Sequence, residues 1–359
     1  MKAAICYEFG KPLAIEDIDI DSPQAGEVKV KLAACAICHS DIHAIEGAWG
    51  GSLPVVYGHE AAGIVEAVGA GVTFAKPGDH VVVTLIRSCG RCYFCVQGDP
   101  HLCEGTFTLD KESRLRAKGG QSIHQGLRTA AFAEYVVVDQ SQVVPVPEQL
   151  PLESVSLLAC GVITGLGAVV NTAQVPSGSS LVTIGTGGVG LNSIQGAALS
   201  GAHPIIAIDV ADNKLEAAKV FGATHTINSK KQDAQAVVRS LTQGRGADYV
   251  FVAVGSTKVV EQGMGLLRRG GTLVIVGMPP IGAKAEIEVV DIADNGQRIL
   301  GSKMGSARPR VDVPKLVELY QQDRLKLDEL ITNRYPLGDI NEAIASVNRA
   351  EALRNVIVF

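Results

Sequence analysis

The chain has 359 residues, which is enough for two domains that each bury their own core. Its formal net charge of −5 leaves no basic excess for a phosphate backbone, so we expect no nucleic-acid partner. The N-terminal residues lack the apolar run of a signal peptide, and no run reaches the roughly 18 apolar residues of a membrane span. We therefore expect a soluble protein of the cytoplasm with no membrane partner.

The first 34 residues alternate apolar and polar side chains, as in residues 28–32, and Pro23 and Gly26 interrupt the pattern. This pattern predicts strands joined by turns. The same period returns over residues 64–84. The N-terminal part of the chain is thus predicted to be mainly β.

Residues 35–63 carry the first candidate metal ligands. Cys38 and His59 offer the sulfur and nitrogen donors that zinc prefers, and Glu60 follows His59 directly. Two ligands do not close a site, so a third has to come from elsewhere in the chain. Asp41 either orients a ligating histidine through its second ring nitrogen or caps a helix.

A second cluster of cysteines predicts a structural metal site. Its members follow one another at spacings of two, two and seven residues: Cys89, Cys92, Cys95 and Cys103. Short loops can bring four thiolates to a tetrahedral zinc with Zn–S distances of about 2.3 Å, and an iron–sulfur cluster is the main alternative. Because four thiolates leave no open position, we expect this site to fold a lobe of about residues 87–105.

The chain then becomes polar and basic over residues 104–129, which predicts a long loop that is either mobile or forms one wall of a pocket. After Pro151 the pattern is helical and rich in small residues, and Cys160 lies early in it. By itself, Cys160 is typical of a packed core thiol.

The next segment carries a dinucleotide fingerprint. A buried strand is predicted over residues 181–184, a helix follows to about Leu199, and a second strand ends at Asp209. Between the first strand and the helix lie Gly185, Thr186, Gly187, Gly188, Val189 and Gly190. The glycines allow the backbone to approach a pyrophosphate at the helix N-terminus. Asp209 would accept from a ribose 2′-hydroxyl and repel a 2′-phosphate, so NAD is favoured over NADP.

Strands and helices continue to alternate after the fingerprint. Further strands are predicted over residues 224–227, 249–254, 272–276 and 298–301, with a helix to Arg268 before the third of these. This makes six strands, the number in a doubly wound parallel sheet. Pairing of two chains along the last strand would cover an exposed sheet edge. Beyond residue 312 the alternation ends, and we expect a helix over 314–327 and a closing strand over 355–359 that rejoin the first lobe.

Taken together, these motifs resemble the medium-chain, zinc-dependent alcohol dehydrogenases, in particular the branch with a long insertion that includes the animal-type and class III enzymes. The resemblance rests on Cys38-His39-Ser40-Asp41, Gly58-His59-Glu60, the four-cysteine lobe, Cys160-Gly161 with Thr164, GTGGVG and Asp209. It implies an α/β protein with a GroES-like, mainly β catalytic domain (1–161 and 304–359) and a Rossmann domain (162–303). It also implies NAD, two zinc ions per chain and a homodimer or homotetramer.

The resemblance further implies a role for individual residues. Cys38, His59 and Cys160 would bind the catalytic zinc, with Glu60 near it, and the four-cysteine lobe would bind the structural zinc. Residues matched to cofactor contacts are His39, Thr164, Val189, Lys214, Val254, Val276, Met278 and Arg354, of which His39 and Arg354 would contact the pyrophosphate. Residues matched to the substrate pocket are Trp49, Leu85 and Leu127, with Met278 at its border.

The expected reaction is hydride transfer between an alcohol, most simply a primary one, and NAD. Ser40 would take the alcohol proton and pass it through the ribose hydroxyl towards His43, which exchanges with solvent. One alternative is a thiol-dependent formaldehyde dehydrogenase, although the basic residue of those enzymes after the fourth cysteine is absent and His43 replaces their tyrosine. Another is an NAD-binding sensor without turnover. A polyol dehydrogenase is disfavoured, because that branch does not use a cysteine at position 160.

Overall fold

The computed structural model describes all 359 residues, which form two compact units. The first unit consists of Met1–Cys160 and Arg308–Phe359, and the second consists of Gly161–Ala307.

The N-terminal part of the first unit is mainly β, as its alternating pattern predicts. Its elements are β1 (Lys2–Cys6), β2 (Ala14–Asp17), β3 (Asp19–Ile20), β4 (Glu27–Ala36), α1 (His39–Ile45), β5 (Val55–Val56), β6 (Glu60–Val68), β7 (His80–Val83), α2 (Tyr93–Gln97), β8 (Leu115–Arg116), β9 (Ser122–Gln125), β10 (Tyr135–Asp139), β11 (Val143–Pro145) and α3 (Leu152–Ser156). Short 3₁₀ turns lie between several of them.

The second unit alternates helices and strands. Its elements are α4 (Gly161–Gly167), β12 (Leu181–Ile184), α5 (Gly188–Leu199), β13 (Ile205–Asp209), α6 (Asp212–Val220), β14 (His225–Asn228), α7 (Ala234–Leu241), β15 (Ala247–Val252), α8 (Thr257–Gly265), β16 (Leu267–Ile275), α9 (Val289–Asn295) and β17 (Arg298–Gly301). The strands form one parallel sheet in the order β14-β13-β12-β15-β16-β17. This is the doubly wound order with its reversal beside β12, and it confirms the predicted six-stranded Rossmann sheet.

The C-terminal segment returns to the first unit. It contains α10 (Pro309–Gln321), β18 (Ile331–Pro336), α11 (Ile340–Asn348) and β19 (Arg354–Val358). β19 pairs antiparallel with β4, so it continues a sheet of order β11-β7-β6-β4-β19-β18, with β10 also on β4. A second sheet of order β2-β1-β5-β9-β8-β3 completes the unit, and one apolar core fills it.

Two helix boundaries differ from the predicted ones. The helix predicted to reach Arg268 ends at Gly265, because Leu267 already pairs with Ala247 in the parallel sheet. The helix predicted over 314–327 instead spans 309–321. Pro309 occupies its first turn, where a missing N–H costs nothing, and Asp323 takes a left-handed turn just after its end.

The segment predicted as a long basic loop is partly built into the fold. It contributes β8 and β9 to a sheet, and Arg114 is buried rather than solvated. The Arg114 guanidinium binds both carboxylate oxygens of Glu27, at 2.7 and 2.9 Å. A buried carboxylate at the start of β4 therefore explains a cation that the sequence pattern assigns to the surface.

No single helix is long and apolar enough to cross a membrane; one pair of consecutive helical segments, Leu152–Ala159 with Gly161–Thr172, meets that test of length and composition together.

Candidate metal centres and dinucleotide loop

Four donor groups of the first unit converge at one buried point. The donor atoms of Cys38, His59, Glu60 and Cys160 all lie within 4.8 Å of one another. Cys38 precedes α1, His59 and Glu60 stand at the start of β6, and Cys160 follows a 3₁₀ turn that ends at Ala159. Cys160, the third ligand that the family resemblance implies, thus lies beside Cys38 and His59.

This cluster contains polar atoms that the chain leaves unsatisfied. His59 Nε2 and Glu60 Oε1 are buried without a hydrogen-bond partner. Leaving a buried polar atom unpaired costs free energy, so such atoms in a folded protein point to a missing partner. Two sulfurs, one imidazole nitrogen and a carboxylate form a donor set that zinc accepts. The cluster therefore fits a bound zinc ion.

Asp41 makes the contacts that both predicted roles require, one to His59 and one to the start of α1. Its Oδ1 lies 2.8 Å from His59 Nδ1 and accepts a hydrogen bond of 2.9 Å from the Gly58 backbone N–H. Its Oδ2 accepts from the Cys38 N–H at 3.2 Å, which closes the first turn of α1. The bond to Nδ1 leaves His59 Nε2 as the nitrogen that faces the other donors. Asp41 is itself completely buried.

Two contacts of the cluster were not predicted from the sequence. Arg354, at the start of β19, is buried, and its Nη2 donates to Glu60 Oε2. Thr84 donates to the Ala159 carbonyl at 2.7 Å and so fixes the turn that presents Cys160. Both pairs are far apart in sequence and lie in no local motif, so no pattern of spacing would have found them.

The electrostatics of the cluster follow from burial and from its neighbours. A hydrogen bond from the Cys160 thiol holds the pKa of Cys38 well below its usual range, with further support from His59. Burial raises the pKa of Glu60 to about 7, against the attraction of Arg354. The low thiol pKa favours the thiolate form that a metal binds.

The residues predicted for proton transfer lie on α1. Ser40 and His43 are three residues apart, so they share a face of the helix, and both are partly exposed. The His43 ring centroid lies 5.9 Å from that of Trp49 and 6.4 Å from that of His39. Trp49 and Leu127 both pack against the apolar core of the first unit, and Leu85 is partly buried after β7.

The four-cysteine lobe also has the geometry of a metal site. Its sulfurs lie within 4.8 Å of one another, and none forms a disulfide. The Cys92 and Cys103 sulfurs are 3.8 Å apart, which matches the edge of about 3.8 Å expected for a tetrahedron with Zn–S bonds of ~2.3 Å. A multi-iron cluster bound by one sulfur per iron would separate the thiolates further. The spacing therefore favours a single ion.

The dinucleotide fingerprint of the second unit adopts the expected strand, turn and helix. α5 begins at Gly188, and a Cβ added at Gly187 would meet nothing within 4 Å, so the backbone there is open to a ligand. A Cβ at Gly190 would overlap the Gly185 carbonyl oxygen, so that glycine serves the packing of the helix on the strand. This space fits a pyrophosphate at the helix N-terminus.

Asp209 ends β13 beside this loop. Its carboxylate accepts from the Thr186 N–H at 2.7 Å and from the Thr186 hydroxyl at 3.0 Å. It also accepts from the Val210 N–H at 2.7 Å. Asp209 thus fixes the glycine loop, and its contact with a ribose stays a prediction.

The other residues matched to cofactor contacts are spread over the second unit. Thr164 is buried on α4, and its hydroxyl lies 3.6 Å from the Met304 sulfur. Lys214 is partly buried on α6. Val276 is buried just beyond β16, and Met278 is 58% exposed. The residues that a Cβ at Gly185 would meet include Val254, which places that side chain against the glycine loop.

The fold and these donor sets define a two-domain protein with two clusters of candidate metal ligands and a dinucleotide loop. Comparison with known proteins agrees with this class of protein. Residues 24–148 match the alcohol dehydrogenase GroES-like domain, and residues 188–322 match the zinc-binding dehydrogenase domain.

Full-length relatives extend this match. The chain is 40% identical over 368 residues to alcohol dehydrogenase class-3 of Zea mays, covering 99% of the chain and 96% of the relative. It is 38% identical over 370 residues to an NDMA-dependent alcohol dehydrogenase of Amycolatopsis methanolica, covering 99% and 98%. The crystal structure of benzyl alcohol dehydrogenase from Acinetobacter calcoaceticus superposes with a TM-score of 0.94 at 34% identity, covering 100% and 99%. The chain belongs to the zinc-dependent, medium-chain alcohol dehydrogenase family.

Proposed function

We propose that this protein is a zinc-dependent, NAD-linked dehydrogenase that interconverts alcohols, preferably primary ones, and aldehydes. The observation that carries the proposal is the buried set of two thiols, an imidazole and a carboxylate with two unsatisfied atoms, in a chain that also has an open dinucleotide loop. An NAD-binding sensor without turnover would need the dinucleotide loop but not the buried donor set.

When bound, zinc would supply a Lewis acid to the substrate oxygen, and the nicotinamide would accept or donate the hydride. Cys38, His59 and Cys160 would hold the ion, and the bond to Asp41 fixes the orientation of His59. Ser40 and His43 lie on one face of α1, which supports a path that moves the alcohol proton to solvent.

Several finer features belong to the same proposal. A negative charge at Asp209 supports NAD over NADP, since it would repel a 2′-phosphate. The four half-buried cysteines support a second, structural zinc in each chain. Eight free cysteines support a reducing compartment such as the cytoplasm. The exposed edge strand β17 supports a homodimer or homotetramer that pairs along it.

The test is a screen for NADH formation by the zinc-loaded protein. Primary, secondary and aromatic alcohols are offered with NAD or NADP, with and without glutathione; benzyl alcohol is included because a structural relative is named for it. We expect NADH from primary alcohols without any thiol. A strict requirement for glutathione would instead support a thiol-dependent formaldehyde dehydrogenase, and no turnover across the panel would support the sensor.

The proton path has its own test. Ser40→Ala should lower turnover by a factor of about 10²–10⁴ with zinc content unchanged, because the alcohol loses its proton acceptor. Ser240→Ala, at an exposed serine of the second unit, is the matched control. His43→Gln should weaken activity mainly at lower pH, where hydroxide is too scarce to replace the imidazole. Full activity of Ser40→Ala would remove this path from the proposal.

A further inference from the structure

A small, strongly polar cavity lies in the first unit, apart from both metal centres. It has a volume of about 170 Å³, and its charged lining consists of Arg87, Lys111, His124 and Arg128, with Asp110 as the one acid. Three fixed positive charges against one negative charge leave an excess of two positive charges, with His124 neutral. An aqueous cavity with such an excess attracts anions.

One of these cations is built into the protein rather than displayed on its surface. The Arg87 side chain is only 1% exposed. Its guanidinium donates to the Gln142 side chain at 2.8 Å, to Asp110 at 2.9 Å and to the Arg128 carbonyl at 3.0 Å. Arginine has five N–H donors, so two remain after these three bonds. A buried guanidinium with spare donors at a cavity wall is a preorganised anion ligand.

The other basic side chains of the cavity lining, Lys111, His124 and Arg128, are exposed to solvent. Lys111 and His124 are exposed, and neither side chain makes a hydrogen bond or ion pair with the rest of the chain. Arg128 is 3.9 Å from Asp110, a loose contact that leaves most of its donors available. These exposed side chains line the cavity together with the buried Arg87, so a small anion there has several cationic donors within its lining.

The backbone at this place is held in a conformation that the residues disfavour. Leu127, Arg128 and Ala130 all have positive φ, at 47°, 63° and 62°. Bonds from Arg87 and Gln142 to the Arg128 carbonyl fix this turn. Left-handed backbone at residues other than glycine persists only where the surroundings impose it, and such strain is concentrated at ligand sites.

We propose that this cavity binds a small oxyanion, namely a phosphate or carboxylate group. The volume of about 170 Å³ corresponds to about six water molecules at ~30 Å³ each, which accommodates one such group with part of its hydration shell. The volume is below the range of about 300–1,000 Å³ that is typical of pockets for larger ligands, so it suits a small anionic group better than a whole nucleotide. The inference stands independently of the proposed enzymatic activity, because it involves neither metal cluster nor the glycine loop.

Calorimetric titration with inorganic phosphate tests whether the cavity binds an oxyanion. The protein is loaded with zinc and saturated with NAD, so that the glycine loop is occupied, and ionic strength is kept constant with chloride. We expect one saturable site per chain. Lys111→Gln and Arg128→Asn should each raise the Kd for phosphate about tenfold, since each removes a charge-assisted hydrogen bond. Asparagine is chosen because it tolerates the left-handed backbone at residue 128.

The control is Lys118→Gln, which makes the same change of charge on the same segment but lies outside the cavity, paired with Asp19 at the surface. It should leave the Kd unchanged. A parallel titration with acetate separates the two sources: binding of phosphate alone indicates a phosphate group, and comparable binding of acetate indicates a carboxylate. Absence of saturable binding of both anions, or unchanged Kd values in both cavity variants, would overturn the proposal.

Discussion

Asp41→Asn is the sharpest test of the proposed buried zinc site, because it alters one atom of a residue that is not among the proposed ligands. The carboxylate of Asp41 receives three hydrogen bonds: from His59 Nδ1, from the Gly58 N–H and from the Cys38 N–H. Asparagine has the same shape, but only one of its two terminal atoms accepts. With its oxygen towards His59, its NH₂ group faces the Cys38 N–H, and two donors then oppose each other.

The magnitude follows from this loss. One charge-assisted hydrogen bond contributes about 1.5–3 kcal/mol, and replacing the carboxylate behind a ligating histidine lowers metal affinity by a factor of about 10–100. A factor of 10–100 corresponds to about 1.4–2.8 kcal/mol, so the two estimates agree. We therefore expect the zinc ion at the buried site to dissociate at a chelator concentration about 10–100-fold lower than in the wild type, while the zinc ion at the four cysteines stays bound.

The assay counts zinc per chain along a series of chelator concentrations and measures alcohol-dependent NADH formation in parallel. Excess zinc should restore part of the activity of Asp41→Asn. Asp323→Asn provides the matched control, since Asp323 is exposed in the same unit and its left-handed backbone, with φ of 56°, suits asparagine. If Asp41→Asn and the control released zinc together with the wild type, Asp41 would have no role in holding His59.

Three further outcomes are expected. Gly187→Ala should leave the free energy of unfolding within about 0.5 kcal/mol of the wild type but raise the Kd for NAD at least tenfold. Gly190→Ala should instead lower the free energy of unfolding by about 1–3 kcal/mol. Urea unfolding measures the stability of both variants, and calorimetric titration measures their Kd for NAD. Arg114→Met should cost about 3–5 kcal/mol in urea unfolding, because it leaves Glu27 charged and buried, and adding Glu27→Gln should recover part of that loss. Cys92→Ser should remove one zinc per chain and make the lobe around it sensitive to limited proteolysis, with the buried zinc retained.

Each of these has a result that contradicts it. Equal effects of the two glycine variants on stability would mean that the loop packs differently from the structure. A stable Arg114→Met protein would mean that Glu27 takes up a proton or reaches water. Loss of both zinc ions in Cys92→Ser would mean that the two centres are not independent.

Most features that could be predicted from the sequence depend on local motifs. The glycine loop and the four-cysteine lobe each depend on residues that are close together in the chain, so spacing constrains their geometry, and the alternation of strands and helices predicts the six strands of the parallel sheet. Gly185 to Gly190 is the clearest case, because a strand, a tight turn and a helix leave little choice of conformation.

Contacts between distant segments were the part that could not be predicted. Arg114 belongs to a polar segment, and only the pairing of β8 with β3 and β9 brings it against Glu27 at the start of β4. Arg354 was matched to a pyrophosphate contact by resemblance. Its bond to Glu60 depends on β19 joining the sheet beside β4, which no periodicity in residues 312–359 reveals.

The buried donor cluster could be predicted in part, because it depends both on local motifs and on the register of paired strands. β4 and β6 pair so that Ala36 is opposite Glu60. Cys38 lies two residues beyond Ala36, and His59 lies one residue before Glu60, so the register alone brings both ligands to the same end of the ladder. A shift of one residue would turn Glu60 to the opposite face of the sheet and separate the donors. The 21-residue spacing from Cys38 to His59 is therefore meaningful only once the strands that flank it are paired, whereas Cys160 depends in addition on the bond from Thr84 that fixes its turn.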